Sequence, residues 1–171
     1  MAEIAENSHV TKPVIYQHFA SKRELYHRLL EKVGSDLIEA IRAATAEIDQ
    51  PRERLEAGMN AYFQFIFDNR HGYLLLFGSG SRRDTEFADV VTRVELSIAE
   101  LVSERVTGVR GDQYRRFIAF SLIGLAQGAA RSYLAGTPEE AHTRFEDSVA
   151  CLRARQAAEI LWFGIRHSIE G

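Results

Sequence analysis

The sequence predicts an all-α protein, and three observations lead to this fold class. Apolar residues recur at spacings of three and four along most of the chain, which is the period of one helix face. No segment alternates apolar and polar residues over the length of a strand. Only three prolines occur in 171 residues, and each stands at a predicted helix start, where its missing N–H costs little.

The first predicted elements are short and closely spaced. Ile4 and Ala5 belong to a short helix, and a turn follows at Ser8 and His9. Thr11 is the predicted N-cap of the second helix, because its hydroxyl can accept a hydrogen bond from an unpaired backbone N–H. Two short helices joined by a tight turn are a common way to present a helix end to a DNA groove.

The second and third helices follow from local patterns. In the helix 11–19, Ile15 and Phe19 lie four residues apart and face a small core. Ser21 and Glu24 form a capping box, with the serine as N-cap and the glutamate three residues later. A long helix is therefore predicted to begin there.

The side chains on the exposed side of the helix 11–19 suit a nucleic acid. Between Ser8 and Arg23 the sequence has three cations, two histidines and no carboxylate. Cations at a helix N-terminus and hydroxyl groups hold phosphate oxygens, whereas amide and apolar side chains reach base edges. A solvated surface with three scattered charges is the alternative. The candidate DNA-binding residues are Thr11, Lys12, Val14, Tyr16, Gln17, His18 and Lys22.

The same stretch resembles the signature of the TetR family of transcriptional repressors. The matching residues are Ile4, Ala5, Val10, Thr11, Ile15, Tyr16, His18, Phe19, Ser21, Lys22 and Leu25. The resemblance implies an all-helical homodimer that binds a near-palindromic DNA operator and is released by a ligand. It also implies a DNA-backbone position for Thr11, Lys12, Tyr16, His18 and Lys22, with Val14 and Gln17 close to bases.

Two departures from the family pattern concern the N-terminal end. The family has glycine in the turn, where this chain has His9, a residue that tolerates left-handed backbone better than most. The family also has a helix before the motif, and we expect the DNA-binding domain, residues 1–45, to lack it. Residues 46–171 are then expected to form a helical ligand-binding and dimerisation domain.

Longer helices are predicted through the rest of the chain. One apolar stripe on a helix over 22–48 is formed by Leu25, Leu29, Val33, Leu37, Ile41, Ala44 and Ile48. The run 78–81 predicts a flexible break, and Asp84 is the predicted cap of the next helix. The last two long helices are predicted over 112–134 and 138–168, the second beginning at the threonine cap and proline of 137–138.

Small residues over 124–130 allow close helix packing. Tight packing within one chain and a seam between two chains both explain them. The resemblance implies a four-helix dimer interface made by the last two long helices of each subunit. The candidate interface residues are Gly124, Gly128, Phe145, Leu152 and Ile160.

Aromatic residues from converging helices form a candidate ligand site. Plain core filling is the alternative for each of them, but apolar pockets with few polar groups are how small molecules are held. The family encloses an inducer cavity, so the expected effector is hydrophobic or aromatic. The candidate pocket residues are Tyr62, Phe63, Phe67, Tyr73, Phe77, Tyr133 and Trp162.

Catalysis and cofactors are not expected. Glu24 with His27 and Glu139 with His142 have the three-residue spacing of metal ligands in a helical bundle, but the predicted buried face of the helix 22–48 excludes Glu24 and His27. A single cysteine, Cys151, fits a reducing cytoplasm, and no apolar run reaches membrane-spanning length. Because the net charge is −3, a DNA-binding surface must be local.

Overall fold

The computed structural model describes residues 11–106, 111–136 and 143–169. In these ranges the chain forms α1 (Lys12–His18), α2 (Lys22–Thr45), α3 (Pro51–Asp68), α4 (Arg70–Phe77), α5 (Ser79–Arg83), α6 (Thr85–Ser103), α7 (Asp112–Gly136) and α8 (Val149–Ile169), with a 3₁₀ turn at Phe145–Asp147. No strand occurs in them, and the predicted all-α fold class is confirmed.

The start of α2 is fixed by the predicted capping box. The Ser21 hydroxyl accepts a hydrogen bond from the Glu24 backbone N–H at 3.0 Å, and Glu24 Oε2 accepts one from the Ala20 backbone N–H at 2.7 Å. Both bonds satisfy donors that the first turn of a helix leaves unpaired. The chain therefore turns sharply between the short α1 and the long α2.

The buried face of α2 differs from the predicted stripe at its first turns. Leu30 is fully buried, whereas Leu29 is exposed. The buried side continues through Val33, Leu37 and Ile41, which face α3 and α6. The prediction for Leu29 was wrong, because the packing of α2 between these helices turns the leucine one position later toward the core.

The core of the molecule lies between α2, α3, α6 and α8. Phe63 and Ile66 of α3 are fully buried, and α3 packs most extensively against α8. The face that α8 turns inward includes the buried Ala150, Ala154 and Ala157. Small side chains let the two helix backbones approach closely, so the larger α3 side chains fill the centre.

The predicted flexible break at 78–81 is instead part of the packed structure. Residues from Ser79 to Arg83 form α5, and Ser81 is fully buried. Its hydroxyl donates to the Leu75 carbonyl and lies 3.0 Å from Tyr26 Oη of α2. A methyl group on Gly78 would overlap the Leu74 carbonyl oxygen, so this turn requires glycine because the chain bends tightly there.

The last helix begins later than predicted. The Ser148 hydroxyl accepts a hydrogen bond from the Cys151 backbone N–H at 3.1 Å and thereby caps α8 at residue 149. The preceding residues 145–147 form a 3₁₀ turn, so one helix over 138–168 was a wrong prediction. The predicted cap and proline at 137–138 lie outside the described residues.

Candidate DNA-binding surface, ligand cavity and outer helix face

The side chains of α1 divide between one buried anchor and an exposed outer side. Ile15 is 6% exposed, whereas Tyr16 is 48% exposed. Thr11, Val14, Gln17 and His18 are also exposed. Among the described side chains of α1, Ile15 is the buried one, so the helix presents most of its surface outward.

The cap of α1 differs in detail from its prediction. Thr11 is the N-cap residue, but its side chain makes no capping hydrogen bond. Pro13, in the first turn, has no N–H to donate, and the Val14 backbone N–H donates to the Thr11 carbonyl at 3.0 Å. The first turn is therefore closed by backbone bonds, and the hydroxyl stands at the exposed end of α1.

The cations that follow α1 have different surroundings. Lys22 is exposed at the start of α2. Arg23 donates two hydrogen bonds to Asp84, at 2.8 and 2.9 Å, and a third to Glu86 at 2.7 Å. Hydrogen bonds from Arg23 hold the pKa of the Asp84 carboxyl below its usual value. Lys22 is thus presented to solvent, whereas Arg23 is bound to the acids at the start of α6.

Part of the predicted DNA-binding motif lies outside the described residues. The motif residues Ile4, Ala5 and Val10 and the turn at Ser8 and His9 lie outside the described residues. The backbone of Lys12 begins α1, but its side chain is outside the described portion. The described part of this surface therefore runs from Thr11 to Lys22.

A partly open cavity of about 120 Å³ lies between the helices. Its walls come from α2, α3, α6 and α7, with Phe77 at the end of α4. Most of the lining is aliphatic, and the polar contribution comes from Thr45, Arg54, Arg105 and Gln127. Apolar enclosure with a few polar groups is the usual composition of a small-molecule site.

Two of the residues that line the cavity are the arginines Arg54 and Arg105. The Arg54 guanidinium donates to the carbonyls of Ile48, Asp49 and Arg105, at 2.7, 3.1 and 3.1 Å. These bonds join the end of α2 to the end of α6, because all three carbonyls belong to the segments that follow those helices. Gln127 donates to Glu95 at 2.8 Å on another wall.

The outer side of α7 and α8 carries large apolar side chains that are exposed in the described part of the chain. Phe117, Ile160 and Phe163 are all more than 60% exposed. Tyr114, Phe120 and Leu152 are also exposed on these two helices, and the rings of Tyr114 and Phe117 stack at 6.1 Å. Exposed apolar patches are a common feature of surfaces that contact other molecules.

Two family models match this chain. The model described as bacterial regulatory proteins of the tetR family matches residues 1–29. The model described as the tetracyclin repressor-like C-terminal domain matches residues 51–161, which is more than half of the chain. The chain belongs to the TetR family. This is a family of regulators, and the expectation that the chain is not an enzyme is confirmed.

The TetR assignment agrees with similar proteins and structures. The chain is 33% identical over 136 residues to the HTH-type transcriptional activator FasR of Mycolicibacterium smegmatis, a match that covers 78% of this chain and 62% of that protein. A crystal structure of a TetR-like transcriptional regulator from Rhodococcus sp. RHA1 matches with a TM-score of 0.66 at 22% identity. A Rhodococcus sp. RHA1 protein of unknown function matches with a TM-score of 0.60 at 22% identity. Each structural match covers 95% of this chain and 82% of the other, and shows the shared fold.

The aromatic residues predicted for the TetR-type ligand pocket separate into two groups. Tyr62 and Phe77 line the cavity. Phe63, Tyr73 and Tyr133 are buried in the core, where Tyr62 Oη and Tyr73 Oη lie 2.6 Å apart and the Phe63 and Tyr133 rings meet edge to face.

The last two predicted pocket residues lie at the margin of the core. Phe67 packs against Phe145 at 5.8 Å, and Trp162 is partly buried on α8. The cavity wall instead includes Gly58, Met59 and Ala126. These small and flexible residues left space that no aromatic pattern could indicate.

The predicted interface residues also occupy two different environments. Leu152 and Ile160 are exposed, Gly124 is exposed and Gly128 is partly exposed. Phe145 instead packs against Phe67, because the chain forms a 3₁₀ turn there and directs this ring toward α3.

In residues 11–106, 111–136 and 143–169, no helix is both long enough and apolar enough to cross a membrane. Nor do three His, Cys, Asp or Glu side chains in those ranges come together as a possible metal site. Glu24 is engaged in the capping box and in an ion pair with Arg28, whereas Glu139 and His142 lie outside the described residues.

Proposed function

We propose that the protein is a DNA-binding transcriptional regulator that uses α1 as its recognition helix. The observation that carries this proposal is the outward presentation of Thr11, Val14, Tyr16, Gln17 and His18 around the single buried Ile15. Exposed hydroxyl and amide groups beside Lys22 suit phosphate and base contacts. Membership of the TetR family supports the same interpretation.

The exposed apolar side of α7 and α8 supports a homodimer. In a dimer, two α1 helices would enter successive major grooves about 34–36 Å apart on a near-palindromic operator. Gly124, Leu152 and Ile160 lie on the surface that would be covered. The dimer is tested by sedimentation of the wild-type protein at micromolar concentration, where a monomer would contradict it.

The apolar cavity supports regulation by a small hydrophobic effector. Most of the cavity wall is aliphatic, and Gln127 is a polar group in that wall. An effector changes DNA binding only through its different affinity for the two states of the dimer. Native mass spectrometry of the purified protein would identify a retained molecule, and its addition should release bound DNA.

The protein could regulate transcription by repression or by activation. We propose repression that is relieved by the effector, as the resemblance implies. A similar protein is named a transcriptional activator, and activation is the competing outcome. A reporter gene downstream of the bound DNA distinguishes the two, because deleting the regulator raises expression under repression and lowers it under activation.

DNA binding is tested with a fluorescein-labelled duplex that the wild-type protein selects from a random pool. Lys22→Ala should weaken binding to every sequence and lower the salt dependence, because it removes a phosphate contact. Tyr16→Phe should weaken binding in the same uniform way. Gln17→Ala should instead relax discrimination at particular bases by roughly 1–3 kcal/mol.

Two results would contradict the proposal. If the wild-type protein selects no duplex, the chain is a helical ligand-binding or interaction module without DNA binding, which is the alternative function. If the duplex is bound but all three variants keep the wild-type affinity and specificity in fluorescence anisotropy, α1 is not the recognition helix.

The same proposal includes the division of the chain into a DNA-binding domain over residues 1–45 and a ligand-binding and dimerisation domain over residues 46–171.

A further inference from the structure

An ion cluster joins the start of α2 to the start of α6. The planar guanidinium of Arg23 makes two parallel hydrogen bonds to the Asp84 carboxylate and a third, through Nε, to Glu86. Paired arginine–carboxylate bonds are stronger and more directional than single ones. An isolated exposed ion pair contributes little to stability, but bidentate geometry within a network is the exception.

Aromatic rings pack against the Arg23 side chain of this cluster. The Arg23 Cζ atom lies 4.8 Å from the centre of the Phe87 ring, a distance typical of cation–π contacts. The Phe87 ring in turn packs against Tyr26 of α2, at 4.6 Å between ring centres. The Tyr26 hydroxyl reaches the buried Ser81 of α5. The Arg23 guanidinium is therefore fixed both by its hydrogen bonds to the two carboxylates and by its contact with the Phe87 ring.

The two helices joined by the cluster run in the same direction. Farther along, Glu31 of α2 lies 3.6 Å from Arg93 of α6, and a methyl group on Gly34 would overlap Val94. Their far ends line the cavity, through Ile41 and Ile98. One pair of parallel helices thus connects the cavity to the Arg23 cluster, which follows α1 in the chain.

We propose that Asp84 and Glu86 are positioning residues for DNA binding, which they favour by holding Arg23 and with it the start of α2. This inference rests on the proposed function, because it concerns the orientation of α1 on DNA. The acids carry the same charge as DNA, so they act through the geometry of Arg23 rather than by touching phosphate.

A different role for the same cluster gives the opposite result. If Asp84 and Glu86 only withheld Arg23 from a phosphate, removing an acid would free a cation and tighten DNA binding. Long-range charge alone also predicts tighter binding when a negative group is lost. The positioning role predicts weaker binding, so the sign of the change decides between them.

The test uses Asp84→Asn in the full-length protein with the duplex selected by the wild type. Asparagine is as good an N-cap as aspartate, so α6 keeps its start while the paired bonds to Arg23 are lost. Binding should weaken roughly threefold to tenfold, the low end of typical coupling between sites. Asp89→Asn removes the same charge from an exposed position on α6 and should leave affinity unchanged or slightly higher.

A double-mutant cycle separates positioning from a direct DNA contact. Arg23→Ala should weaken binding at least as much as Asp84→Asn does, because it also removes the bond to Glu86. The double variant should be no weaker than Arg23→Ala alone, because the bonds between Arg23 and Asp84 are already lost. The slope of log affinity against log salt should stay at the wild-type value, since no phosphate contact is lost. Thermal melting of each variant confirms that it is folded.

The outcomes are distinct. Tighter or unchanged binding by Asp84→Asn overturns the positioning role while DNA binding itself stands. A reduced salt slope in Arg23→Ala also overturns it, because Arg23 would then be a phosphate contact. If the wild-type protein selects no duplex at all, the proposed function fails and the positioning role fails with it.

Discussion

The two long helices α7 and α8 each have an inner and an outer apolar side, and the two sides differ in what covers them. On α8, Leu161 is 5% exposed and packs against Ile118 and Leu122 of α7. Its neighbour Ile160 is 61% exposed. Apolar side chains that fold the chain and apolar side chains suited to a second chain therefore alternate along one helix, and composition alone cannot separate them.

The largest expected effect comes from truncating the inner side. Leu161→Ala should lower the free energy of unfolding by about 2–5 kcal/mol, because it leaves a cavity in packed surroundings. Urea unfolding measures this loss, which should not depend on protein concentration. Ile160→Ala is the matched control: its effect should disappear when the protein is diluted to monomers. Equal losses at every concentration would show that the two sides do not differ.

A pH effect follows from the polar pair within the inner core. Burial raises the pKa of Tyr62 well above its usual value of 10.0, and the nearby Tyr73 hydroxyl adds to the rise. The unfolded chain loses this proton near pH 10 while the folded chain keeps it. The free energy of unfolding should therefore be unaffected below pH 10 and fall above it, by up to about 1.4 kcal/mol per pH unit.

The variant Tyr62→Phe removes this ionisable group and should flatten the decline above pH 10. Chemical unfolding at several pH values from 8 upward measures the slope. Tyr16→Phe, which removes a hydroxyl from the exposed surface of α1, should leave the slope as in the wild type. A slope that Tyr62→Phe leaves unchanged would mean that another group causes the decline.

The smallest expected effect concerns the outer side at Gly124. In the portion of the chain that the structure describes, no atom beyond its own helix backbone and chain neighbours lies within 4 Å of a methyl group added there. Gly124→Ala should therefore stabilise the monomer by about 1 kcal/mol through helix propensity. In a close dimer seam the same methyl groups would push two helices apart and raise the dissociation constant.

Sedimentation at several concentrations measures that dissociation constant. Gly80→Ala in α5 is the control, because a methyl group there also meets open space but lies on another helix. If Gly124→Ala leaves dimerisation as strong as in the wild type, Gly124 lies outside the seam, and the outer surface must pair through the larger side chains alone.

Features that depend on neighbouring residues were predictable from the sequence. The Ser21 and Glu24 capping box and the Asp84 cap are confirmed, since each bond spans at most four residues. The outward position of Tyr16 and the inward position of Ile15 also follow from helix periodicity. The division of α1 into two sides was thus predictable before any packing was known.

Features that depend on residues far apart in the chain were not predictable from the sequence. Ser81 is buried because Tyr26, far away in the chain, reaches its hydroxyl, so the sequence around it suggested only a flexible break. The position of the cavity was not predictable either. Phe63 and Tyr133, which were predicted to line it, instead pack edge to face against each other. Empty volume remains where Gly58 and Ala126 are small, and no local pattern indicates which small residues face each other.

The length of α2 gives the Arg23 cluster a mechanical consequence. With 24 residues, the helix is about 36 Å long at 1.5 Å per residue. A tilt of only about 5° at the cavity end would displace the opposite end by roughly 3 Å, given that rigid length. A hydrogen bond weakens greatly over such a distance. Under the proposed function, a bound effector that widened the cavity slightly would therefore break the bonds of Arg23, with α2 as the rigid connection.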